Sequence, residues 1–161
     1  MQKELSREAV VEIYQALNVL KKKTGILLEQ KIKFNHAVSR NLQSLNGLYE
    51  TINETNNNHL KEYKKEMNLI GEKFSEKDIN DKPILLENGN LNINKKELFE
   101  YTKQIDECND KYKSIMEEIK IYMRTIESIE LYMINFSEIP QIDKEFQNIL
   151  ICIDPIINYE E

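Results

Sequence analysis

The sequence is poor in the residues that build most catalytic and cofactor sites. It has no tryptophan, two histidines, two cysteines, four glycines and three prolines among 161 residues. Four scattered glycines cannot form a phosphate-binding loop, and the G-x-x-x-x-G-K-[ST], G-x-G-x-x-G and G-x-S-x-G motifs are all missing. No apolar run approaches the roughly 18 residues of a membrane span, and the first residues lack a signal-peptide pattern. These absences argue against a nucleotide-binding enzyme, an integral membrane protein and a secreted protein.

The few chemically versatile residues are also badly placed for catalysis. His36 and His59 would lie about 35 Å apart on an unbroken helix, too far to share a metal ion. Cys108 and Cys152 fall on apolar stripes, as is typical of buried, reduced thiols rather than of exposed nucleophiles. The acidic run at residues 78–81 lacks the twelve-residue ligand pattern of a calcium loop. We therefore predict no enzymatic activity, no metal site and no cofactor.

The charges are distributed unevenly. Net charge is −6, yet residues 1–40 carry eight Lys or Arg against four Glu, and the last stretch after Thr125 is the most acidic. Such a layout can steer a charged partner, and the acidic end could imitate nucleic-acid phosphates toward a basic protein. The basic cluster is too weak, and too poor in stacking aromatics, for us to expect direct nucleic-acid binding. The candidate interaction residues are this cluster and one predicted turn: Lys21, Lys22, Lys23, Lys31, Lys33, Arg40, Asn88 and Gly89.

Helical periodicity dominates the first half of the chain. Ser6 is a suitable cap for a first helix that the three lysines at 21–23 and Gly25 would end. A second pattern runs from about residue 26 to residue 74 in steps of three or four, a coiled-coil-like seam. We expect one long helix there, with a kink or break at the asparagines 56–58 left open. The seam consists of Val38, Leu42, Leu45, Tyr49, Ile52, Asn56, Leu60, Tyr63, Met67, Ile70 and Phe74.

The next segment changes character. Two short apolar runs flank Asn88-Gly89, the preferred pair of a type I′ turn, which predicts a β-hairpin at about 84–93. Asn94 with Glu97 resembles a capping box that opens a third helix. This helix has an apolar seam of matching period, so we expect it to pack antiparallel to the long one. Its seam consists of Leu98, Tyr101, Ile105, Cys108, Tyr112, Ile115 and Ile119.

The region after Glu118 fits two interpretations. Residues 119–124 alternate as a strand would, but a continuing helix also fits, and residues 118–134 are left open between the two. We favour a strand, because a third strand would support the marginal hairpin. A short helix is expected at about 143–152. The fold class is therefore mainly α (α+β): a long antiparallel, coiled-coil-like helical hairpin with a small β-hairpin or three-stranded sheet and a short C-terminal helix. We expect residues 1–161 to form one elongated domain.

Several stretches resemble small phage and prophage proteins of unknown function. Residues 33–45 match a KFxxAVxxNLxxL pattern, residues 77–83 match KDxxxKP, residues 87–89 read ENG, and residues 117–121 match EEIxI. In those proteins the middle segment resembles DENGKP, whereas this chain has Asp81 in place of the glycine. The order and spacing agree over roughly residues 10–125. The resemblance implies a small helical phage-encoded protein with a β-hairpin and no known catalytic residues.

Small size, acidity, missing active-site motifs and this resemblance favour a non-enzymatic binding protein in the cytoplasm of a bacterial host. The sharpest hypothesis is an inhibitor of a host defence system such as a CRISPR nuclease. The alternative is a phage assembly factor or chaperone that self-associates through its helical seam. A third possibility, capture of a small signalling nucleotide, would need a basic pocket near residues 21–33. The expected partner is a host or phage protein, or a second copy of the chain, with no role for a membrane.

Overall fold

The computed structural model describes residues 1–23, 32–139 and 147–159. The elements in chain order are β1 (Gln2–Ser6), α1 (Arg7–Lys23), α2 (Ile32–Phe74), α3 (Leu98–Lys111), α4 (Lys113–Met123), β2 (Ile126–Glu130), β3 (Ile134–Asn135), α5 (Gln147–Ile153) and β4 (Ile157–Asn158). Short 3₁₀ turns precede α3, follow β3 and follow α5. The mainly helical fold class predicted from the sequence is confirmed.

The chain divides into two compact units, residues 1–55 with 121–161 (unit 1) and residues 56–120 (unit 2). In unit 1, β1 pairs antiparallel with β2, with Gln2 opposite Glu130 and Ser6 opposite Ile126. β3 and β4 form a separate parallel pair. As predicted, Ser6 precedes α1 and its hydroxyl accepts the backbone N–H of Ala9 at 3.1 Å, which satisfies a first-turn donor that no helical carbonyl reaches.

The core of unit 1 forms where the apolar stripes of α1, α2 and α5 meet the two strand pairs. Every apolar residue of the KFxxAVxxNLxxL stretch is buried there, and so is its asparagine, Asn41. The stretch is therefore a packing pattern, because its spacing of three and four keeps these residues on one side of the helix. The fully buried large apolar residues of the unit are Val10, Ile13, Leu17, Leu20, Phe34, Leu45, Ile52, Leu131, Ile134, Ile153 and Ile156.

The long helix predicted from the sequence is present. α2 is continuous through the asparagines 56–58, so their low helix propensity does not break it. Tertiary contacts on both sides of this point outweigh a cost of a few tenths of a kcal/mol per residue. The predicted start near residue 26, and the stop at Gly25, lie outside the described residues.

In unit 2, α3 packs antiparallel to the second half of α2, as predicted. Phe74 contacts Tyr101 with ring centroids 5.9 Å apart, and eleven residues earlier Tyr63 contacts Tyr112 at 5.5 Å. The Tyr63 hydroxyl also donates to Asn109 Oδ1 at 3.0 Å. Later residues of α2 thus contact earlier residues of the α3 segment, so the two helices are antiparallel.

Residues 75–97, here called the cap, join these two helices through three similar turns spaced eight residues apart. The backbone N–H of Asp81, Gly89 and Glu97 each donates to the carbonyl three residues earlier, at 3.0, 2.8 and 3.0 Å. Asn94 opens the third turn, with its side chain accepting the N–H of Lys96 at 3.0 Å, so the predicted cap at Asn94 is present.

A ring of backbone hydrogen bonds closes the cap. The N–H of Glu76 donates to the carbonyl of Asn92, that of Asn92 to Ile84, and that of Ile84 to Glu76, at 2.7, 2.8 and 2.8 Å. Three single antiparallel bridges surround the ring, one in each arm: Lys77 with Pro83, Leu85 with Leu91, and Ile93 with Ser75. The eight-residue spacing therefore builds a compact three-armed structure in place of an extended sheet.

The hairpin predicted around Asn88-Gly89 is present in reduced form, as the second arm of the cap, but its predicted turn type is wrong. Gly89 has φ of +81°, whereas Asn88 does not share a positive φ. The N–H of Leu86 donates to the carbonyl of Asn90 at 2.7 Å, so the loop has three residues. This is a type I turn followed by a glycine bulge. The ring of hydrogen bonds sets which residues pair, and that register leaves room for three loop residues instead of two.

The first arm of the cap has the same turn and was missed by the sequence analysis. Asp81 takes the position of Gly89 with φ of +61°, the conformation that favours glycine. Asp78 Oδ1 accepts the N–H groups of Asn80 and Lys82 at 2.8 and 2.9 Å. These bonds, led by that from Lys82, lower the pKa of Asp78. The carboxylate holds a turn, which accounts for the acidic run considered above as a calcium loop.

The prediction of a strand at residues 119–124 is wrong. α4 continues to Met123, and the strand follows as β2. The partner of this strand is β1 and not the hairpin, so the argument that the hairpin needed a third strand does not apply. The Arg7 guanidinium lies 4.0 Å from the centroid of the Tyr122 ring, and Tyr122 makes this contact from the last turn of α4. The predicted C-terminal helix is present as α5, although residues 143–146 of the prediction lie outside the described residues.

Candidate interaction site

The predicted interaction residues do not form one site. Lys21 and Lys22 are exposed near the end of α1, and Lys23 is the last residue of that helix. Lys31 lies outside the described residues. Lys21 lines a polar groove of about 390 Å³ between α1 and α2, where the Tyr14 hydroxyl donates to Asn46 Oδ1 at 2.5 Å.

The groove at Lys21 has the size of a small ligand site but few charges. Its described lining comprises Tyr14, Asn18, Lys21, Ser39, Leu42, Gln43 and Asn46. Lys21 is the single cation among these residues. A nucleotide phosphate is usually held by several cations or by a glycine-rich loop, so the described part of the lining does not supply the basic pocket that nucleotide capture requires.

Asn88 and Gly89 belong to unit 2, at the tip of the second arm of the cap. The Asn88 side chain accepts the N–H of Asn90 at 3.1 Å, so its amide oxygen holds the turn. Gly89 supplies the positive φ that the turn needs. Both residues therefore have a structural role that accounts for their presence.

Lys33 and Arg40 share the exposed side of α2 with His36, because helical residues separated by three and by four positions are neighbours. His36 and Arg40 face the segment between β2 and β3, where Tyr132 is 41% exposed. The Arg40 guanidinium lies 5.4 Å from the Tyr132 ring centroid. The His36 ring meets the same tyrosine edge-on at 6.3 Å and 89°. We call this group, His36, Arg40 and Tyr132, the Tyr132 cluster.

A buried amide fixes the backbone of the Tyr132 cluster. Asn41 is fully buried; its Nδ2 donates to the carbonyl of Tyr132 at 2.8 Å, and its Oδ1 accepts the N–H of Tyr132 at 2.7 Å. The side chain thus makes both hydrogen bonds that a neighbouring strand would make. Because β2 and β3 are interrupted at this point, Asn41 orders a peptide that no strand pairs, and the exposed ring of Tyr132 is held in place.

The Arg40 guanidinium gives the Tyr132 cluster a positive charge. Within the part of the chain that the structure describes, Arg40 forms no ion pair. Lys33 reaches Glu138 at 3.4 Å, but its side chain stays 83% exposed. An exposed tyrosine beside a guanidinium is the composition of interface hot spots, since both side chains bury large areas and make directed contacts.

The sequence analysis missed Tyr132, His36 and Asn41 as members of a site. Tyr132 lies more than ninety residues from Arg40 in the chain, and no local pattern links them. Asn41 did leave a signal, because it is a polar residue at a core position of the α2 stripe, and a buried amide must find hydrogen-bond partners. A polar residue at this position predicts a hydrogen-bonded contact but does not identify the residue that it contacts.

Most of the acidic side chains that the structure describes after Thr125 bind other groups of the protein. Glu127 receives the Arg7 guanidinium at 2.7 Å, Glu138 receives Lys33, and Asp154 accepts the Tyr159 hydroxyl at 2.6 Å. The bond to Asp154 also raises the pKa of Tyr159. Among the described acidic side chains after Thr125, Glu130 alone has no such partner. The described part of this stretch therefore presents few free carboxylates to a basic protein.

Unit 2 holds one cluster of titratable groups, between α2 and α3. Glu66 accepts both Lys111 Nζ at 2.5 Å and the Tyr112 hydroxyl at 3.1 Å. The hydrogen bond from Lys111 lowers the pKa of Glu66. Burial raises the pKa of the nearby Cys108 thiol, which is 2% exposed. A thiol kept protonated inside a helix pair is a packing residue, as its place on the seam predicts.

Searches against protein-family models, curated proteins and solved structures find no match. Among the described residues, no group of His, Cys, Asp and Glu side chains is arranged to hold a metal ion. None of the helices described combines the length and the apolar character that crossing a membrane requires.

Proposed function

We propose that the chain is a non-enzymatic phage or prophage accessory protein that binds a protein of its bacterial host in the cytoplasm. In the sharpest form of this proposal, the partner belongs to a host defence system, such as a CRISPR nuclease, and binding inhibits it. The observation that carries the proposal is the Tyr132 cluster: an exposed tyrosine, held by a buried amide and flanked by the Arg40 guanidinium, which forms no ion pair among the described residues.

The geometry favours a protein partner with carboxylates beside an apolar recess. Tyr132 can fill such a recess at little entropic cost, because Asn41 already holds its peptide group. Arg40 can then form a two-pronged bond to a carboxylate at the rim. A lone tyrosine with one arginine gives little of the phosphate contact that nucleic acids need.

The assembly alternative relied on self-association through the helical seam. In unit 2 the seam residues Tyr63 and Phe74 contact α3 of the same chain. Association of two chains through these positions would require α3 to separate first. This makes host-protein binding the better supported of the two proposals.

The test is a tagged pull-down from bacterial lysate with quantitative mass spectrometry, comparing the wild type with Arg40→Ala/Tyr132→Ala. A matched control, Lys113→Ala/Tyr159→Ala, removes an exposed lysine and an exposed tyrosine elsewhere. We expect one host enzyme to be retained by the wild type and the control but reduced at least tenfold by the cluster variant. Addition of the purified protein should then inhibit that enzyme in vitro.

Two results would overturn the proposal. Retention of the same host enzyme by both double variants would show that the Tyr132 cluster is not the binding surface. Recovery of phage virion proteins in place of a host enzyme would support the assembly role.

A further inference from the structure

The part of α2 in unit 2 carries a basic stripe. Seven exposed residues at helical spacing line one shallow groove of about 510 Å³. Three lysines against one glutamate give the lining a charge of +2, in a chain whose net charge is −6, and Glu62 lies at its edge. Among the described residues none of the three lysines forms an ion pair. The basic stripe consists of Asn57, Lys61, Lys64, Lys65, Asn68, Leu69 and Glu72.

α3 carries a stripe of the opposite sign. Four exposed residues follow one another along this helix in steps of four, three and four, so they share one side of it. Glu107 flanks them and reaches Lys103 at 3.9 Å. Three carboxylates against one lysine give this group a charge of −2. The acidic stripe consists of Phe99, Lys103, Asp106 and Asp110, with Glu107 at its edge.

The ring contacts between α2 and α3 show that both stripes face outward. Two positions along a helix turn a side chain by about 200°. Lys65 and Glu72 each lie two positions from an aromatic residue of α2 that contacts α3, and Lys103 and Asp110 each lie two positions from a ring that contacts α2. The helical hairpin of unit 2 is therefore basic on one outer side and acidic on the other.

The register within the hairpin defines what two neighbouring copies can bring together. A second hairpin laid alongside in the same orientation places its α2 antiparallel to α3 of the first copy. If the two copies keep the register of the contacts within one chain, Lys65 of one lies opposite Asp110 of the other. Glu72 then lies opposite Lys103, so both pairs join opposite charges.

We propose that the basic stripe of one copy binds the acidic stripe of the next, so that the chain associates with itself head to tail. Charge complementarity identifies a second copy as the occupant, because one chain presents both halves of the contact in matching register. Each copy added leaves one stripe of each kind free at the ends, so association continues beyond the dimer. The contact leaves α2 and α3 packed together, unlike association through the seam. It also does not depend on the host partner proposed above.

The experiment is sedimentation equilibrium of the full chain from about 5 to about 500 µM, because a contact between two helices is small and the net charge opposes it. At low salt the wild-type mass should rise from the 19.1 kDa of one chain past twice that value without levelling off. Lys61→Glu/Lys65→Glu and Asp106→Lys/Asp110→Lys should each increase the dissociation constant at least tenfold. The wild-type constant should increase similarly between about 50 mM and about 0.5 M salt, because salt screens exposed charges.

Mixing the two charge-reversal variants distinguishes recognition from damage to the fold. One variant has two acidic stripes and the other has two basic stripes, so an equimolar mixture should associate as the wild type does. Lys95→Glu/Lys96→Glu makes the same change of charge as the first variant, at exposed positions before α3. It serves as the matched control and should associate like the wild type.

Three results would overturn the inference. The first is a wild-type mass that stays at that of one chain over the whole range. The second is a mass that levels off at twice this value, which would indicate a symmetric interface. The third is a mixture of the two charge-reversal variants that associates no better than either variant alone.

Discussion

Replacing Asn41 with leucine would test the contact that holds Tyr132. Leucine fills a similar volume but can neither donate nor accept a hydrogen bond. The change removes two hydrogen bonds, worth about 1 kcal/mol each, and leaves one N–H and one C=O without a partner, at a further cost of about 1–3 kcal/mol for each group that stays buried. Because Tyr132 is 41% exposed, water can reach part of its backbone. We expect a loss of about 2–4 kcal/mol in the free energy of unfolding.

The aspartate variant separates hydrogen bonding from packing. In Asn41→Asp at neutral pH, the introduced carboxylate can accept the N–H of Tyr132 but cannot donate to its carbonyl, and burial disfavours the charge. Burial therefore raises the folded-state pKa of this carboxyl above its ordinary value of about 3.9. The protonated carboxyl stabilises the folded variant. This contribution is fully present below the unfolded-state pKa and is lost as the pH rises through the folded-state pKa. Asn41→Asp should thus approach the wild type near pH 4 and fall below it at pH 7.

Urea denaturation followed by circular dichroism and tyrosine fluorescence measures both effects, with each variant compared with the wild type at the same pH. Asn58→Leu, at an exposed position of α2, is the matched control and should change stability by less than about 0.5 kcal/mol. If Asn41→Leu is as mild as this control, or if the deficit of Asn41→Asp is independent of pH, then the side chain does not hold Tyr132 as described.

Other positions allow equally direct tests. Gly47→Ala should stabilise α2 by about 0.5–1 kcal/mol, because nothing lies within 4 Å of the added methyl group. Gly71→Ala should give no gain in the same urea titration, because its methyl group would lie 2.7 Å from Leu91 Cδ1 in the cap. Asp81→Gly should stabilise unit 2 by about 1 kcal/mol in urea, because it relieves a positive φ, and a destabilised variant would refute the assigned turn. With iodoacetamide, Cys152 should be alkylated in the folded protein. The buried Cys108, whose pKa is raised by burial, should react only in denaturant. Mass spectrometry can measure both rates of alkylation, and equal rates in the folded protein would contradict the burial of Cys108.

Local patterns in the sequence were sufficient for the helices and for one turn. The seams that end at Phe74 and pass through Cys108 predicted an antiparallel pair, because their periods match. The asparagine–glycine pair marked a real turn. Its type followed from a ring of hydrogen bonds between segments eight residues apart, and no single segment encodes that ring.

The errors share a physical origin in contacts between distant residues. Residues 119–123 alternate in hydrophobicity, yet they remain helical because α4 packs as a helix and the strand is needed beyond it, opposite β1. The Tyr132 cluster joins α2 to a segment more than ninety residues away, and only tertiary structure brings the two together. The turn at Asp81 was missed for a different reason. Its positive φ is a local feature, but an aspartate at this position does not predict a conformation that favours glycine.

β1 lies about 120 residues before its partner strand in the chain. Gln2 pairs with Glu130, whereas the first two arms of the cap each close within about eight residues and α3 returns along the helix just completed. Short closures cost less chain entropy than long ones and form earlier, so unit 2 can fold on the ribosome while the first strand still waits for β2. During that interval the edge of β1 is open to pairing with other chains. β1 is therefore a segment that needs protection from other chains until β2 has been synthesised.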